Sequence, residues 1–519
     1  MKRIAAVIVS LILMLSVSGC GMTDRIKDFF SFDENPQTVN EEGINKETEN
    51  SITIGVTELD SYNPLICKSH TAKMMLDFIY EPLFGIDSQM HTVGVLASSY
   101  TTSPDGKSMR INLKQGVIWH DGTEFTSKDV VYTVKSIITN RCNYYFYLKD
   151  VSNITPEDNY TVDITFGRSV PNPATLFSFP IIKSGSFSDG FKPVGTGPFY
   201  LDYNKLSAFE AYHGNRANID FINVKSIPDD GKFVTMFNAS VIDVADSSVI
   251  DMKTYMPRSK QTVHNYVSNE IIIAGFNAKS AVFKFKEARK SVSMLIDRQG
   301  VASNIYFSQC EPVNYPVNPV SDYYPSSKGD LSSDSGGAEN ELKSNGWKTD
   351  SRGIYCYSDN ISLTYFSVRI LVNGDDPERC GVAEMISAKM NEIGMKNTVV
   401  QCPGDEFAKC IEAGNYDMFI GEIQIQPNND LTDIVSSASN MFNYSDEETD
   451  ILLAQLGTVT TESDKKDISS KLYERIKSEC PFAPICFKKG SLITSAKIKS
   501  GAEPSVQSTV RQTESWSVK

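Results

Sequence analysis

The segment Gly116-Val117-Ile118-Trp119-His120-Asp121-Gly122 lies within residues 80–138, which carry the clearest structural signals in the sequence. Before it, Pro104-Asp105-Gly106 predicts a turn, because proline presets φ and glycine accepts positive φ. Apolar and polar residues alternate over residues 109–113, which is typical of a half-buried strand. Asp121-Gly122 predicts a second turn.

A helix is predicted to follow the second turn. Thr126 and Asp129 have the spacing of a capping box, in which two residues satisfy each other's backbone N–H groups. The apolar residues after them fall on one helical face: Val130, Val131, Val134, Ile137 and Ile138. The strand, the turns and this helix together predict a small α+β unit.

The order of these motifs resembles the family 5 extracellular solute-binding proteins, the oligopeptide, dipeptide and nickel receptors of ABC importers. That family has Y-E-x-L, then S-x-D-G-K, L-x-x-G-V-x-W-x-D-G and F-T-A-x-D-V. Residues 80–130 match nearly every position, with Ser127 where alanine is usual. Residues 193–199, Pro-Val-Gly-Thr-Gly-Pro-Phe, match a further family turn, and residues 276–298 match its F-N…I-D-R pattern. The resemblance extends over roughly residues 50–490.

The resemblance implies an α/β protein with the type II periplasmic-binding-protein fold. Two lobes and an extra α+β insert domain would close on a ligand like a hinged trap. Because the chain passes between lobes, lobe I is expected to be discontinuous. The expected boundaries are 51–79, 182–276 and 485–519 for lobe I, 80–181 for the insert domain and 277–484 for lobe II.

The second half of the chain favours the same fold class on its own pattern. Predicted strands and helices alternate between residues 361 and 420, and a β-α-β-α-β order implies parallel strands joined by crossovers. Residues 321–345 are rich in serine, glycine and aspartate. We therefore expect a mobile surface loop there.

The N-terminus has the pattern of a lipoprotein signal peptide. A positively charged start precedes an apolar run over residues 4–17, which is too short to span a membrane comfortably. Residues 17–20, Val-Ser-Gly-Cys, resemble a bacterial lipobox, which implies a signal peptide over residues 1–19 and lipidation of Cys20. The polar residues 20–50 are expected to form a flexible tether. The protein would then be anchored by lipid at the extracytoplasmic face of the cell membrane, and an ordinary signal peptide with an incidental cysteine is the alternative.

Composition limits the classes of partner. A chain of 519 residues is too long for one ordinary domain, and 40% hydrophobic with 22% charged residues fits a soluble protein with sizeable cores. The formal net charge of −14 argues against nucleic acid as a partner and against electrostatic adhesion to anionic lipid.

Nine cysteines follow Cys20, and this odd number leaves at least one unpaired within the chain. Cys402 with Cys410, or Cys480 with Cys486, are near enough in sequence to form disulfides in an extracellular protein. Buried free thiols are the alternative. The absence of CxxC spacing makes a zinc site a weak idea.

No arrangement of residues predicts catalysis. None of the five histidines lies in HExxH, there is no GxSxG motif, and Gly195-Thr196-Gly197 lacks the later residues of a phosphate-binding loop. We therefore expect a protein that is not an enzyme and that needs no cofactor or metal. Trp119 and His120 could contact a ligand, but a place in the core is favoured for bulky tryptophan.

The resemblance also implies candidate ligand-binding residues. The spacing from Pro64 to Tyr80 places Lys68, Ser69 and His70 on the segment whose backbone pairs with a bound peptide. Backbone pairing of this kind ignores side-chain identity. A plain connecting loop is the alternative for this segment.

A second candidate segment departs from the family. Peptide receptors have G-W-x-x-D, whose aspartate holds the α-ammonium of the ligand, whereas this chain has Gly421, Glu422, Ile423, Gln424 and Ile425. Isoleucine cannot neutralise a buried ammonium group, and an unpaired buried charge is costly. Either Glu422 takes over the ammonium group, or the ligand has no free α-amine there. Phe487, in the returning C-terminal segment, is an additional candidate.

The resulting hypothesis is a substrate-binding lipoprotein of an ABC importer. It would capture peptides, oligopeptides above all, between two lobes and deliver them to a membrane permease with separate ATPase subunits. It is expected to act as a monomer. The alternatives are a sensory or pheromone receptor with the same fold, a receptor for a non-peptide solute, and a degenerate hydrolase or chaperone-like surface protein.

Overall fold

The computed structural model describes residues 50–188, 192–258, 260–327, 329–359 and 361–518. The expected signal peptide, the lipidation site at Cys20 and the tether before Asn50 lie outside these residues. Within the described ranges, no helix is both long enough and apolar enough to span a membrane.

The strands are numbered in chain order. They are β1 (Ser51–Val56), β2 (Phe84–Ile86), β3 (Thr92–Gly94), β4 (Ala97–Thr102), β5 (Ser108–Leu113), β6 (Val151–Asp158), β7 (Thr161–Phe166), β8 (Phe199–Asp202), β9 (Lys205–Ala208), β10 (Phe221–Ser226), β11 (Val244–Asp246), β12 (Gln261–Phe276), β13 (Cys310–Pro312), β14 (Lys348–Thr349), β15 (Tyr355–Ser358), β16 (Leu363–Tyr365), β17 (Ser367–Asn373), β18 (Lys396–Cys402), β19 (Met418–Gln424), β20 (Phe482–Ser495), β21 (Ile498–Ser500) and β22 (Ser517–Val518).

The helices are numbered in the same way. They are α1 (His70–Leu76), α2 (Ser127–Asn140), α3 (Tyr145–Leu148), α4 (Phe233–Asn238), α5 (Lys286–Leu295), α6 (Arg298–Gly300), α7 (Ser335–Ser344), α8 (Pro377–Glu392), α9 (Gly404–Glu412), α10 (Thr432–Val435), α11 (Glu447–Leu456) and α12 (Glu462–Glu479).

One large sheet passes through both lobes, with the strand order β18-β17-β19-β12-β20-β11-β1-β10-β9-β8. The long antiparallel strands β12 and β20 join its two halves. Residues 261–267 of β12 pair with the end of β20 next to β11, whereas residues 271–276 pair with β19 and with the start of β20. A register shift interrupts β12 at residues 268–270, the junction segment. The expected lobe boundaries at 276/277 and 484/485 fall at the end of β12 and inside β20.

The lobe II half of the sheet follows the predicted order. β17 pairs in parallel with both β18 and β19, and helices α8 and α9 make the connections between them. Gly394 and Gly414 follow these helices with positive φ, as glycines after a helix often do. The predicted β-α-β-α-β unit is therefore confirmed.

The insert domain is the predicted α+β unit. Its antiparallel sheet has the order β4-β5-β7-β6, and Met109, Ile111 and Leu113 of β5 are buried. The capping box at the start of α2 is present, since the backbone N–H of Thr126 donates to the Asp129 carboxylate at 2.9 Å. The insert and lobe I share one continuous hydrophobic core.

His120 fastens the insert domain to lobe I. Its Nδ1 accepts from the Gly195 N–H at 3.2 Å, and its Nε2 lies 2.9 Å from the Gly197 carbonyl oxygen. Burial lowers the pKa of His120 to about 4, which keeps the ring neutral and suited to this pairing. Trp119 beside it is fully buried, so both residues hold the fold together, as expected.

Two expectations from the sequence are wrong. Residues 321–345 do not form one loop, because helix α7 begins directly after Asp334. The Asp334 carboxylate caps the helix by accepting the Gly337 N–H at 2.7 Å, and Ala338 and Leu342 of the helix are buried. The high serine and glycine content favoured a loop, although Asp334 and the apolar residues that follow it are consistent with a capped helix.

The proposed disulfides are also absent. Among the cysteines that the structure describes, all are free thiols, including Cys402, Cys410, Cys480 and Cys486. Residues 482–486 belong to an extended strand, which carries Cys486 about 13 Å beyond the strand start, whereas a disulfide joins Cα atoms about 4.4–6.8 Å apart. The alternative of buried free thiols is therefore confirmed for Cys402, Cys480 and Cys486, whereas Cys410 is a half-buried free thiol.

Candidate functional site

Two cavities meet at the junction segment between the lobes. The larger has a volume of about 540 Å³ and the smaller about 220 Å³, and Tyr266, Ser268 and Glu270 line both. The strands that connect the lobes thus form the floor shared by the cavities. Concave sites of about 300–1,000 Å³ between domains are typical places for ligand binding.

The larger cavity has walls from both lobes and is rich in charge. Tyr306 and Gln309 of lobe II face residues 246–253 of lobe I. The charged residues that line it, apart from His70, are Asp246, Asp251, Lys253, Glu270, Asp376, Glu378, Lys488 and Lys489. Lys253 of lobe I and Glu378 of lobe II form an ion pair across it.

The smaller cavity brings all three parts of the chain together. Tyr144 and Tyr147 come from the insert domain, and Gln424 comes from lobe II. Asp77 and Arg511 come from lobe I. Burial raises the pKa of both tyrosines, so their phenols remain neutral hydrogen-bonding groups.

The first predicted binding segment is only partly in this cleft. The Asp60 carboxylate accepts the N–H groups of Lys68 at 2.7 Å and Ser69 at 3.3 Å, and Ser69 caps α1 through its hydroxyl. These backbone donors are therefore used within the chain in this conformation. His70, the first residue of α1, lines the larger cavity.

The second predicted segment runs along β19 beside the floor. Glu422 is paired with Lys488 at 2.5 Å, and Lys488 also lies 3.3 Å from Glu270. Burial alone would lower the pKa of Lys488, but these two carboxylates raise it, so the lysine stays charged. The carboxylate of Glu422 thus already has a cationic partner.

The other predicted residues divide between core and cleft. Gln424 is exposed and lines the smaller cavity. Ile425 and Phe487 are buried in the lobe II core, and half-buried Ile423 packs against the same cluster. Of the predicted residues, His70 and Gln424 therefore line the cavities directly, and Glu422 lies beside them through its partner Lys488.

Sequence reasoning missed several residues of the site. The aromatic run at residues 144–147 was a visible signal for Tyr144 and Tyr147. No sequence signal marked Asp77, Tyr266 or Arg511, because chain segments far apart in sequence bring them together. In the described part of the chain, no group of three or more His, Cys, Asp or Glu side chains could hold a metal ion.

Contacts across the cleft hold the insert domain against lobe II. The Nη2 atom of Arg168 lies 2.7 Å from carboxylate oxygens of both Asp150, in the insert, and Asp430, in lobe II. Lys149 pairs with Asp433, and the Asn428 side-chain amide donates to the Pro171 carbonyl at 3.0 Å. Together with the pair of Lys253 and Glu378, these contacts bridge the cleft in this structure.

Comparison with known proteins gives the same architecture. The oligopeptide-binding protein AppA of Bacillus subtilis strain 168 is 24% identical over 81% of this chain and 83% of its own length. The structure of AppA from B. subtilis in complex with a nonapeptide superposes with a TM-score of 0.62 at 19% identity. The superposition covers 90% of this chain and 99% of that chain. A nickel ABC transporter structure from Bacillus halodurans gives a TM-score of 0.76 at 17% identity, over 91% of this chain and 100% of that chain.

These similarities confirm the predicted fold class, the two-lobed α/β fold with an insert domain. The sequence profile described as bacterial extracellular solute-binding proteins, family 5 middle, matches residues 91–443, which is more than half of the 519 residues. The chain belongs to the family 5 bacterial extracellular solute-binding proteins.

Proposed function

We propose that this protein captures peptides between its two lobes and delivers them to the permease of an ABC importer, whose separate subunits hydrolyse ATP. The observation that carries the proposal is the cleft whose floor is the junction segment and whose walls come from lobe I, lobe II and the insert. The similarity to an oligopeptide-binding protein over 81% of this chain supports peptides as the ligand class.

Binding and closure, without covalent chemistry, are the proposed mechanism. A ligand that contacts both lobes stabilises the closed form, because it gains interactions there that the open form cannot provide. The closed form then docks on the permease. The protein acts as a monomer, held to the extracytoplasmic face of the membrane through the lipid on Cys20.

The contacts of Glu422 help to decide whether it binds the α-ammonium group of the ligand. One oxygen of Glu422 already pairs with Lys488 at 2.5 Å, so a ligand ammonium group at Glu422 would share the carboxylate with this lysine and be repelled by it. Ile425 is buried and offers no charge. The proposal therefore takes the second explanation, in which the ligand places no free α-amine at this position.

Native mass spectrometry of the full chain, gently purified in mild detergent, tests the proposal. Bound species should appear as peptides of a narrow length range, one per protein molecule, and should dissociate on partial unfolding. A single non-peptide mass would redirect the ligand class. Peptide binding without any effect of gene deletion on peptide uptake would favour a signalling receptor over an importer.

A further inference from the structure

The guanidinium of Arg511 has hydrogen-bond donors that nothing in the described chain satisfies. Its Nη1 atom is enclosed by the protein without a hydrogen-bond partner, and only 18% of the side chain is exposed. A ligand can therefore reach the guanidinium only through its other atoms. An arginine carries five N–H donors and remains charged. A buried cation with unused donors is costly unless an anion completes its environment.

Asp77 is an incomplete counterion for Arg511. Its Oδ1 lies 3.9 Å from Nη2, which is beyond hydrogen-bond length, so the contact is electrostatic only. Burial raises the pKa of Asp77, although Arg511 and Ser508 oppose that rise. The contact with Asp77 therefore leaves hydrogen-bond donors of Arg511 unused, although Glu514 also contributes to balancing its charge.

Two cavities border Arg511, and they differ in charge. A cavity of about 370 Å³ on one side is lined by Lys114 and by more carboxylates, Asp77, Glu81, Asp87, Glu503 and Glu514, which would repel an anion. The smaller cleft cavity has fewer carboxylates, Asp77 and Glu270, and Lys488 lies 3.3 Å from Glu270. An anion is therefore repelled less on the cleft side than on the other side.

Further donors line the same side of the cleft. Tyr144 and Tyr147 line the smaller cavity, and neither phenol makes a hydrogen bond to any residue within the described ranges. Each neutral phenol can donate one hydrogen bond. A planar acceptor with two oxygens, placed between them and the fork of Arg511, would use donors from two separate elements.

We propose that Arg511 binds a carboxylate group of the ligand in the smaller cleft cavity, with Tyr144 and Tyr147 as neighbouring donors. The inference rests on the proposed function and narrows its ligand class to peptides that carry a carboxylate at this position. The anchoring charge of the ligand is then an anion held by lobe I, in place of an ammonium held near Ile425. The carboxylate is that of the peptide C-terminus or of an acidic side chain.

A peptide set that differs only in carboxylates tests this assignment. The probes are mixed-sequence tripeptides to nonapeptides, each made as the free acid and as the C-terminal amide, with and without one glutamate. Binding to the full chain is measured by native mass spectrometry and titration calorimetry. Wild-type protein should bind one carboxylate-bearing form about tenfold or more tightly than the form lacking it, as expected for a hydrogen bond to a charged group. The free-acid and amide peptides test the C-terminal carboxylate, and the peptides with and without glutamate test a side-chain carboxylate.

Variants locate the effect at Arg511. Arg511→Gln should abolish the preference for the carboxylate, and Arg511→Lys should retain part of it, because lysine keeps the charge without the planar fork. Arg352→Gln is the matched control: Arg352 is 65% exposed and already paired with Asp350 at 2.8 Å. It should leave the preference unchanged. If Arg511→Gln folds poorly, the comparison of acid and amide peptides on wild-type protein still shows whether the protein prefers a carboxylate.

The outcomes separate this inference from the proposed function. Peptides that bind equally well with and without carboxylates would overturn the role of Arg511 and leave peptide capture standing. A carboxylate preference that persists in Arg511→Gln would do the same. Failure of every peptide to bind would overturn peptide capture, and the inference with it.

Discussion

Gly195 lies so close to the lobe I backbone that no side chain fits. A Cβ atom there would lie 1.8 Å from the carbonyl oxygen of Ile79. Overpacking of this kind costs about 1–3 kcal/mol, so we expect Gly195→Ala to lower the free energy of unfolding by at least about 1 kcal/mol in urea titration. At Gly167 the nearest atom to a Cβ is 3.8 Å away. Gly167→Ala is therefore the control, and equal losses for both variants would contradict the close approach.

The residue Ile425 leads to a prediction about the ligand amine. Because this side chain is buried and Glu422 is paired with Lys488, the chain offers no free carboxylate at this position. Acetylating the N-terminus of a bound peptide should therefore change its dissociation constant by less than about threefold, which is well under 1 kcal/mol. Titration calorimetry with acetylated and free peptides measures this. A tenfold loss would return Glu422 to the role of ammonium acceptor.

Residue identity alone draws attention to Ile425 and gives no sign of where Phe487 and Arg511 lie. The substitution of Ile425 for an expected aspartate was readable because its neighbours match a known pattern. The burial of Phe487 was not readable, because it depends on the long strand β20 passing through the middle of the sheet. Arg511 was equally hidden, since Asp77, Tyr144 and Tyr147 beside it lie more than 300 residues away in sequence.

The free energy of unfolding should depend on pH through His120, which joins the insert domain to lobe I. The pKa of folded His120 is about 4, whereas its ordinary value is 6.5. Between these values the unfolded chain binds a proton that the folded chain does not, so this contribution to stability is complete above pH 6.5 and is lost as pH falls towards 4. The shift corresponds to about 3 kcal/mol.

Urea titration of wild type and His120→Asn between pH 7 and pH 4 tests this. The wild type should lose more stability over that range than the variant, because the variant has no imidazole to protonate. His91→Asn removes a histidine whose side chain is 55% exposed and serves as the control. Parallel pH curves for wild type and His120→Asn would contradict a buried neutral His120.

Helices and strands whose apolar residues recur with a single period were predictable from the sequence, and those without a single period were not. The alternation over residues 109–113 has the period of a strand, the apolar spacing over residues 130–138 has the period of a helix, and both elements exist. Strand β12 escaped notice because its first half is partly exposed and its second half is buried on both faces. No single period describes such a strand, so its role at the cleft floor became visible only in the folded chain.

At the scale of the whole molecule, Arg168 is expected to stabilise closure. It bridges Asp150 in the insert to Asp430 in lobe II, and the Asp430 side chain is only 3% exposed. Arg168→Gln should shift the population towards the open form, raise the radius of gyration without ligand, and weaken ligand affinity by about twofold to fivefold. Small-angle scattering and titration measure the two effects.

An ion pair confined to the insert domain provides the control. Arg110 pairs with Asp163 at 2.7 Å within one sheet, and 51% of its side chain is exposed. Arg110→Gln should therefore change neither the radius of gyration nor the ligand affinity. An unchanged radius of gyration in Arg168→Gln would mean that closure is set elsewhere, for example by Lys253 and Glu378.

Binding of a peptide should protect the cleft between the lobes from solvent. Hydrogen–deuterium exchange of the full chain, with and without a co-purified or library-selected peptide, measures this protection. We predict slower exchange in the junction segment, around residues 144–147 and around residues 424–427, which line the cavities. Protection confined to other surfaces, such as residues 212–215 beside the neighbouring cavity, would contradict binding in the cleft.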